Sequence, residues 1–128
     1  MSDETRWTTL VNVLSLVKIP LLAFCTPQVQ EMTNEKSQVR VRLDWRTQNH
    51  LGVMYFGALA MGAELSIALR ALKEIEQSGQ KIDFIFQNFQ CDFVKRADGH
   101  VLFTCNEAHL VADLLQRAAQ SAERLSGT

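Results

Sequence analysis

"TQNHLGVMYFGALAMGAELSIALRAL", residues 47–72, places one carboxylate, Glu64, in the middle of an apolar helical run. Between Val53 and Ala63 the run is apolar on almost every side, which predicts a helix that the rest of the protein wraps on most sides. These eleven residues are too few to span a bilayer. Ser78 and Gly79 are typical of a helix end, so we expect a helix from about residue 54 to about residue 77.

The residues before this helix predict one helix and two strands, of which only the second has a clear pattern. Apolar residues at helical spacing predict a first helix from about residue 4 to about residue 18, and Pro20 ends the pattern. The stretch "SQVRVRLDW" (37–45) alternates, which predicts a half-buried strand. Its apolar face holds Val39, Val41, Leu43 and Trp45. Residues 21–34 fit no single pattern, because Pro27 interrupts any strand there.

The residues after the long helix predict a hairpin and a last helix. Apolar residues alternate in two opposite phases, which a bulge near Gln87 and Asn88 reconciles. The first phase holds Ile82, Phe84 and Phe86, and the second holds Phe89, Cys91 and Phe93. Asp98-Gly99 is a strong signal for a tight turn, so this strand should pair antiparallel with "HVLFTC" (100–105). Asn106 should cap a helix that runs to about Leu125.

These elements predict an α+β fold in a single domain, residues 1–128. An antiparallel sheet curled around the long central helix accounts for the apolar surface of that helix. Further helices are expected at the N-terminal and C-terminal ends.

Composition and charge exclude several classes of partner. The net charge is -1 and the pI is about 6.3, so no basic field is available for nucleic acid. Cys25, Cys91 and Cys105 have no metal-ligand spacing and indicate buried thiols in a reducing compartment. "MSDETRW" (1–7) lacks the basic start of a secretory signal, so we expect a cytoplasmic protein. The first helix lacks the Lys/Arg-rich face of membrane-surface helices, so we expect no membrane partner.

Glu64 needs a specific explanation, because burying an ionised carboxylate without partners is very costly. Gly57 lies seven residues earlier, within about 20° of the same helix face. The unpaired N–H groups of the helix start can hold a developing oxyanion, and a carboxylate base beside such a site is typical of hydrolysis. Alternatively, Glu64 ties down a neighbouring loop or pairs with a partner chain.

Two further features of the long helix carry expectations. Gly57 and Gly62 each cost about 1 kcal/mol relative to Ala, so we expect another backbone or a ligand to approach them closely. Polar residues appear only in the second half of the helix, where we expect it to emerge into solvent. They are Arg70, Lys73, Glu74 and Glu76.

The motif in residues 49–57, Asn-x-x-Gly-x-x-Tyr-Phe-Gly, followed by Glu64, resembles the hotdog-fold acyl-CoA thioesterases of the phenylacetate-pathway type. It is closer still to an uncharacterised branch of that superfamily. The resemblance implies a hotdog fold, a homodimer or dimer of dimers with a continuous sheet, and active sites at the dimer interface. It implies hydrolysis of an acyl-CoA or acyl-carrier-protein thioester, and it calls for no cofactor and no metal.

The resemblance also implies roles for individual residues. Glu64 would be the catalytic carboxylate, acting as base or nucleophile. Gly57 would offer its backbone N–H to the thioester oxygen. Asn49 would position water or substrate, or would instead stabilise the loop. The expected substrate contacts are His50, Gly52, Tyr55 and Phe56.

The chain departs from the family pattern at two places. Tyr55-Phe56 stands where the better-studied thioesterases have His-Gly, so Tyr55 either donates a hydrogen bond to the thioester or is a core aromatic. His50, five residues away, either takes part or is an exposed loop residue. After the second hairpin the family usually adds one or two strands, whereas this chain ends in "ERLSGT" (123–128). Three explanations are open: the sheet is shorter, the last helix replaces those strands, or the pocket is more open. An incomplete sheet would leave an exposed edge strand, which would favour pairing with a partner subunit.

A second class of function is open. A non-catalytic acyl-binding or assembly module would keep the pocket and the dimer without the chemistry. The phenylalanines of residues 84–93 either line an acyl channel or belong to the core. No phosphate-binding glycine loop, His-x-x-x-His pair or Gly-x-Ser-x-Gly motif supports another enzyme class.

Overall fold

The computed structural model describes residues 2–121 and 125–127 and has a mixed α+β architecture. Within these residues the chain forms four helices and a small sheet of three antiparallel strands. In chain order they are α1 (Asp3–Lys18), α2 (Pro20–Phe24), β1 (Gln28–Met32), β2 (Ser37–Val41), α3 (Phe56–Ser78), β3 (Val101–Cys105) and α4 (Ala108–Ala119). No helix in this described part is both long and apolar enough to cross a membrane.

The sheet has the order β1-β2-β3, with β2 in the middle. Val39 of β2 pairs with Val29 on one side and with Phe103 on the other, and it is completely buried. The predicted alternation is therefore confirmed for residues 37–41. It is wrong at Trp45, which is 73% exposed, because the strand ends at Val41 and the chain turns.

The long helix α3 packs across this sheet, and its predicted position is confirmed. It begins at Phe56 and ends at Ser78, and Gly79 follows in the left-handed conformation with φ of 67°. Gly62 lies under the ring of Phe103, where a Cβ would overlap that ring. The expectation of a neighbouring backbone or ligand was wrong here: an aromatic side chain from β3 makes the close approach, and it docks the sheet on α3.

The first helix is also confirmed, and it packs against β1 and the core. Trp7 and Val11 are buried in the same apolar cluster as the α3 residue Leu69. The hydroxyl of Thr8 accepts a hydrogen bond from the backbone N–H of Val29 at 2.8 Å. Residues 21–34, which fitted no single pattern, contain most of α2 and all of β1.

The predicted hairpin between residues 82 and 105 is wrong. Residues 81–94, which we call the aromatic segment, form neither helix nor strand and are almost entirely exposed. After this segment the chain returns to the start of α3. There the carbonyl oxygen of Ala97 accepts a hydrogen bond from the N–H of Met54 at 2.8 Å. Gly99 lacks the positive φ that a tight hairpin turn requires. The phenylalanines of this segment are therefore surface residues, and the core interpretation fails.

The cysteine prediction holds for one of the three residues. Cys25 is buried, and this burial raises the pKa of its thiol. Cys105 is half-buried in β3. Cys91 is exposed, because the aromatic segment that carries it does not join the sheet.

The last helix is shorter than predicted. α4 begins at Ala108 and ends at Ala119, so it does not run to Leu125; residues 122–124 lie outside the described part. Glu107, rather than Asn106, occupies the cap position, and it makes no side-chain cap hydrogen bond. The N–H of Ala108 instead donates to the carbonyl oxygen of Glu35 at 3.2 Å, which ties the start of α4 to the turn between β1 and β2.

Candidate functional site

The loop between β2 and α3 is held by hydrogen bonds at both ends. The Thr47 hydroxyl donates to the carbonyl oxygen of Arg42 at 2.7 Å, and the Tyr55 N–H donates to the carbonyl oxygen of Thr47 at 2.8 Å.

Arg46 pairs with Asp44 at 2.7 Å, and its side-chain hydrogen bond lowers the pKa of that carboxyl. The contribution of this pair is therefore present above about pH 4 and is lost as the pH falls through the lowered pKa.

Asn49 and Gly52 shape the tip of this loop. The Asn49 Oδ1 accepts hydrogen bonds from the N–H groups of Leu51 at 2.8 Å and Val53 at 3.3 Å. Gly52 has a φ of 77°, which favours glycine. The side-chain amide N–H₂ of Asn49 has no hydrogen-bond partner among residues 2–121 and 125–127. Asn49 thus stabilises the loop, and its two amide N–H donors are left without a partner in this part of the chain.

The N-terminus of α3 has free backbone donors. Tyr55 occupies the cap position without a side-chain cap, and its carbonyl oxygen accepts from the N–H groups of Ala58 at 3.0 Å and Leu59 at 3.1 Å. Within the described residues the N–H groups of Phe56 and Gly57 have no acceptor. Two adjacent free N–H groups at a helix start can stabilise an oxyanion.

Tyr55 lies beside these donors. Its ring lies over Gly57, so a Cβ there would overlap the ring unless the half-exposed ring moved aside. The ring also contacts Phe56 at 4.8 Å between centroids. Tyr55 is 48% exposed, so the core interpretation of this residue is wrong. Its hydroxyl makes no hydrogen bond inside the described chain and is available to a ligand.

An open groove of about 550 Å³ lies at this end of α3. One side brings together four of the predicted site residues, Asn49, His50, Tyr55 and Phe56. The other side consists of residues 93–97, and the Phe93 ring contacts Phe56 edge to face at 6.3 Å. His50 is exposed, as one of the two interpretations of that residue expected. The groove therefore has aromatic walls and polar groups close together.

Of residues 93–97, only Phe93 was predicted as a site candidate, among the phenylalanines that either line an acyl channel or belong to the core. The alternating pattern assigned Phe93 to a strand of the sheet. Alternation alone does not show whether such a segment pairs with the sheet or follows another path. A usable signal was the pair Lys95-Arg96 directly after the aromatic residues, since cations next to aromatics are typical of ligand sites.

Glu64 lies outside the groove and is not enclosed. Its side chain is exposed and has no hydrogen bond or ion pair within the described residues. It belongs to what we call the open face of α3, which also contains Phe56 (61% exposed), half-buried Ala60 and Ile67 (38% exposed). The expectation of a helix wrapped on most sides is therefore wrong for this single chain, because its sheet covers only the face that carries Gly62.

Among the described residues no group of three or more His, Cys, Asp or Glu side chains is placed to hold a metal ion. The polar groups at this end of α3 include amide donors, a phenol hydroxyl, an exposed imidazole, the cations Lys95 and Arg96 and, about two helical turns along, a carboxylate.

Comparison with known proteins assigns a family without a described function. None of the curated proteins matches this sequence. One solved structure of similar fold is described as "Crystal Structure of genomics APC5556"; it has 17% sequence identity and a TM-score of 0.57, and the match covers 79% of this chain and 72% of that chain. A family model described as "Domain of unknown function (DUF4442)" matches residues 8–123, so the chain belongs to the DUF4442 family.

Proposed function

We propose that this chain is the subunit of a homodimeric hotdog-fold thioesterase that hydrolyses an acyl-CoA or acyl-carrier-protein thioester. The observation that carries the proposal is the groove at the start of α3, whose aromatic lining includes Phe56. The N–H groups of Phe56 and of the next residue, Gly57, have no acceptor among the described residues. A thioester needs an apolar path for its acyl chain and donors for its carbonyl oxygen, and the groove offers both.

The architecture supports the hotdog part of the proposal. The three antiparallel strands pack on one face of a long helix, and Phe103 of β3 lies directly on Gly62 of α3. The aromatic segment runs from the end of α3 back to its start without joining the sheet. A second copy would cover this exposed segment, in which Ile85 is 78% and Phe89 is 51% exposed, together with the open face of α3.

In the proposed reaction the thioester oxygen accepts hydrogen bonds from the free N–H groups at the start of α3. Tyr55 adds its hydroxyl in place of the histidine of related sequences. Glu64 lies about 10 Å further along the helix, and its side chain leans towards the N-terminus. A second copy packed on the open face would enclose this carboxylate beside the extended groove, where Glu64 activates water or attacks the carbonyl carbon itself.

Replacing Glu64 by Gln tests the proposal. Thiol release from acyl-CoA substrates of several chain lengths should fall by about 10²- to 10⁴-fold, because the base or nucleophile is lost while the shape is kept. Glu76→Gln is the matched control, since it removes a carboxylate from the same helix in an exposed ion pair with Arg6. Equal rates in the wild type and Glu64→Gln would overturn the catalytic role of Glu64.

Two observations favour a second candidate, a non-catalytic acyl-binding or assembly module. Tyr55 stands where the thioesterases that the motif resembles have the histidine that polarises the thioester, and Glu64 lies outside the groove. This module would bind acyl thioesters with the same affinity in the wild type and Glu64→Gln, and neither protein would release thiol. Binding without turnover in the wild type therefore selects the module over the enzyme.

A further inference from the structure

Two adjacent cations, Lys95 and Arg96, line the groove without a carboxylate partner. Five other basic residues of the described chain form ion pairs: Arg6, Lys36, Arg46, Arg70 and Arg117. Lys95 and Arg96 have no ion pair or hydrogen bond within residues 2–121 and 125–127. Their charges are therefore available to an anion that enters the groove.

The backbone on both sides of this pair is anchored to α3 and its loop. Before the pair, the Phe93 ring contacts the Phe56 ring at 6.3 Å. After it, the carbonyl oxygen of Ala97 accepts from the Met54 N–H at 2.8 Å. Both cations line the groove together with Phe93 and Ala97. The pair is thus positioned at the groove rather than on a free loop.

We propose that Lys95 and Arg96 bind the phosphate of a phosphopantetheine arm. This inference rests on the proposed thioesterase function, because phosphopantetheine is the group that coenzyme A and acyl carrier protein share. A phosphate carries up to two negative charges and strong acceptor oxygens, which match a guanidinium and an ammonium side by side. The slim pantetheine part then passes between the aromatic walls towards the start of α3.

The test compares the binding of 4′-phosphopantetheine and pantetheine by calorimetry. The wild type should bind 4′-phosphopantetheine at least about tenfold more tightly, because charge-assisted hydrogen bonds are stronger than neutral ones. The double variant Lys95→Ala/Arg96→Ala should lose about 10- to 100-fold in affinity for 4′-phosphopantetheine and nothing for pantetheine. Lys81→Ala is the matched control, because Lys81 is an exposed cation of the same segment outside the groove.

Two further ligands distinguish the sources of the arm. If coenzyme A binds more tightly than holo acyl carrier protein, the arm that this site binds is the one carried by coenzyme A. If holo acyl carrier protein binds more tightly, the arm is the one carried by that protein. Either result supports the inference. Equal affinity for 4′-phosphopantetheine and pantetheine would overturn it, as would a double variant no weaker than Lys81→Ala. These thiols contain no thioester, so their binding is measured independently of hydrolysis. If they bind as expected but acyl-CoA is not hydrolysed, the proposed enzyme is rejected while the proposed phosphate site is supported.

Discussion

Gly57 and Gly62 of α3 each lie against an aromatic ring, Tyr55 for Gly57 and Phe103 for Gly62. The sequence identified both glycines as unfavourable in a helix, and each has a steric reason in the structure. The neighbours that fill the space are Tyr55, two residues away, and Phe103, 41 residues away on β3. The second contact depends on how the sheet docks on α3, so no spacing within the helix could predict it.

The two glycines should respond differently to a methyl group. Gly62→Ala should lower the free energy of unfolding by about 1–2 kcal/mol, because overpacking against Phe103 outweighs a gain of about 1 kcal/mol in helix propensity. Gly57→Ala should not destabilise the protein, since the half-exposed Tyr55 ring can move aside. Urea denaturation measures both values. Equal losses would contradict the proposed contact, and Phe103→Leu should restore stability to Gly62→Ala only if the contact exists.

Within helix α3, the placement of charges could not be predicted from pattern alone. Arg70 and Glu74 were expected in solvent, yet their side chains are only 8% and 11% exposed. They pair at 2.7 Å, and Arg70 also donates to the carbonyl oxygen of Thr33 in the β1–β2 turn at 3.2 Å. Gln116 of α4 donates to Glu74 at 3.4 Å. These two hydrogen bonds join the pair to the β1–β2 turn and to α4. The two charges of the pair compensate each other in a site from which water is excluded.

Breaking this buried pair should cost far more than breaking an exposed pair on the same helix. Glu74→Gln should lower the free energy of unfolding by about 3 kcal/mol, because it leaves the Arg70 charge buried and uncompensated. Glu76→Gln should cost less than about 1 kcal/mol, since the Arg6–Glu76 pair is solvent-exposed. Chemical denaturation of the two variants makes the comparison. Similar losses in both would mean that the buried pair does not hold α3 in place.

At the level of the whole molecule, the sequence predicted the α+β class, the central helix and two of the three strands. It also placed Asn49, His50, Tyr55 and Phe56 at one site, because a single loop and helix start carry all four. The second groove wall and the surroundings of Glu64 could not be predicted. They depend on the path of residues 81–97 and on whatever covers the open face of α3, neither of which local periodicity encodes.

The exposed apolar surface predicts that the chain associates through the aromatic segment. Ile85 is 78% exposed, so it contributes little to the fold of one chain and can contribute strongly to an interface. Ile85→Lys should therefore leave the circular dichroism unchanged and shift the protein from dimer to monomer in sedimentation equilibrium. Leu16→Lys is the matched control, because Leu16 is 69% exposed on α1, outside the aromatic segment. A wild type that stays monomeric at high concentration would contradict the proposed dimer, and a dimer lost equally in both variants would move the interface away from this segment. If the dimer also encloses Glu64, Ile85→Lys should lose thiol release together with dimerisation, because the carboxylate then returns to open solvent.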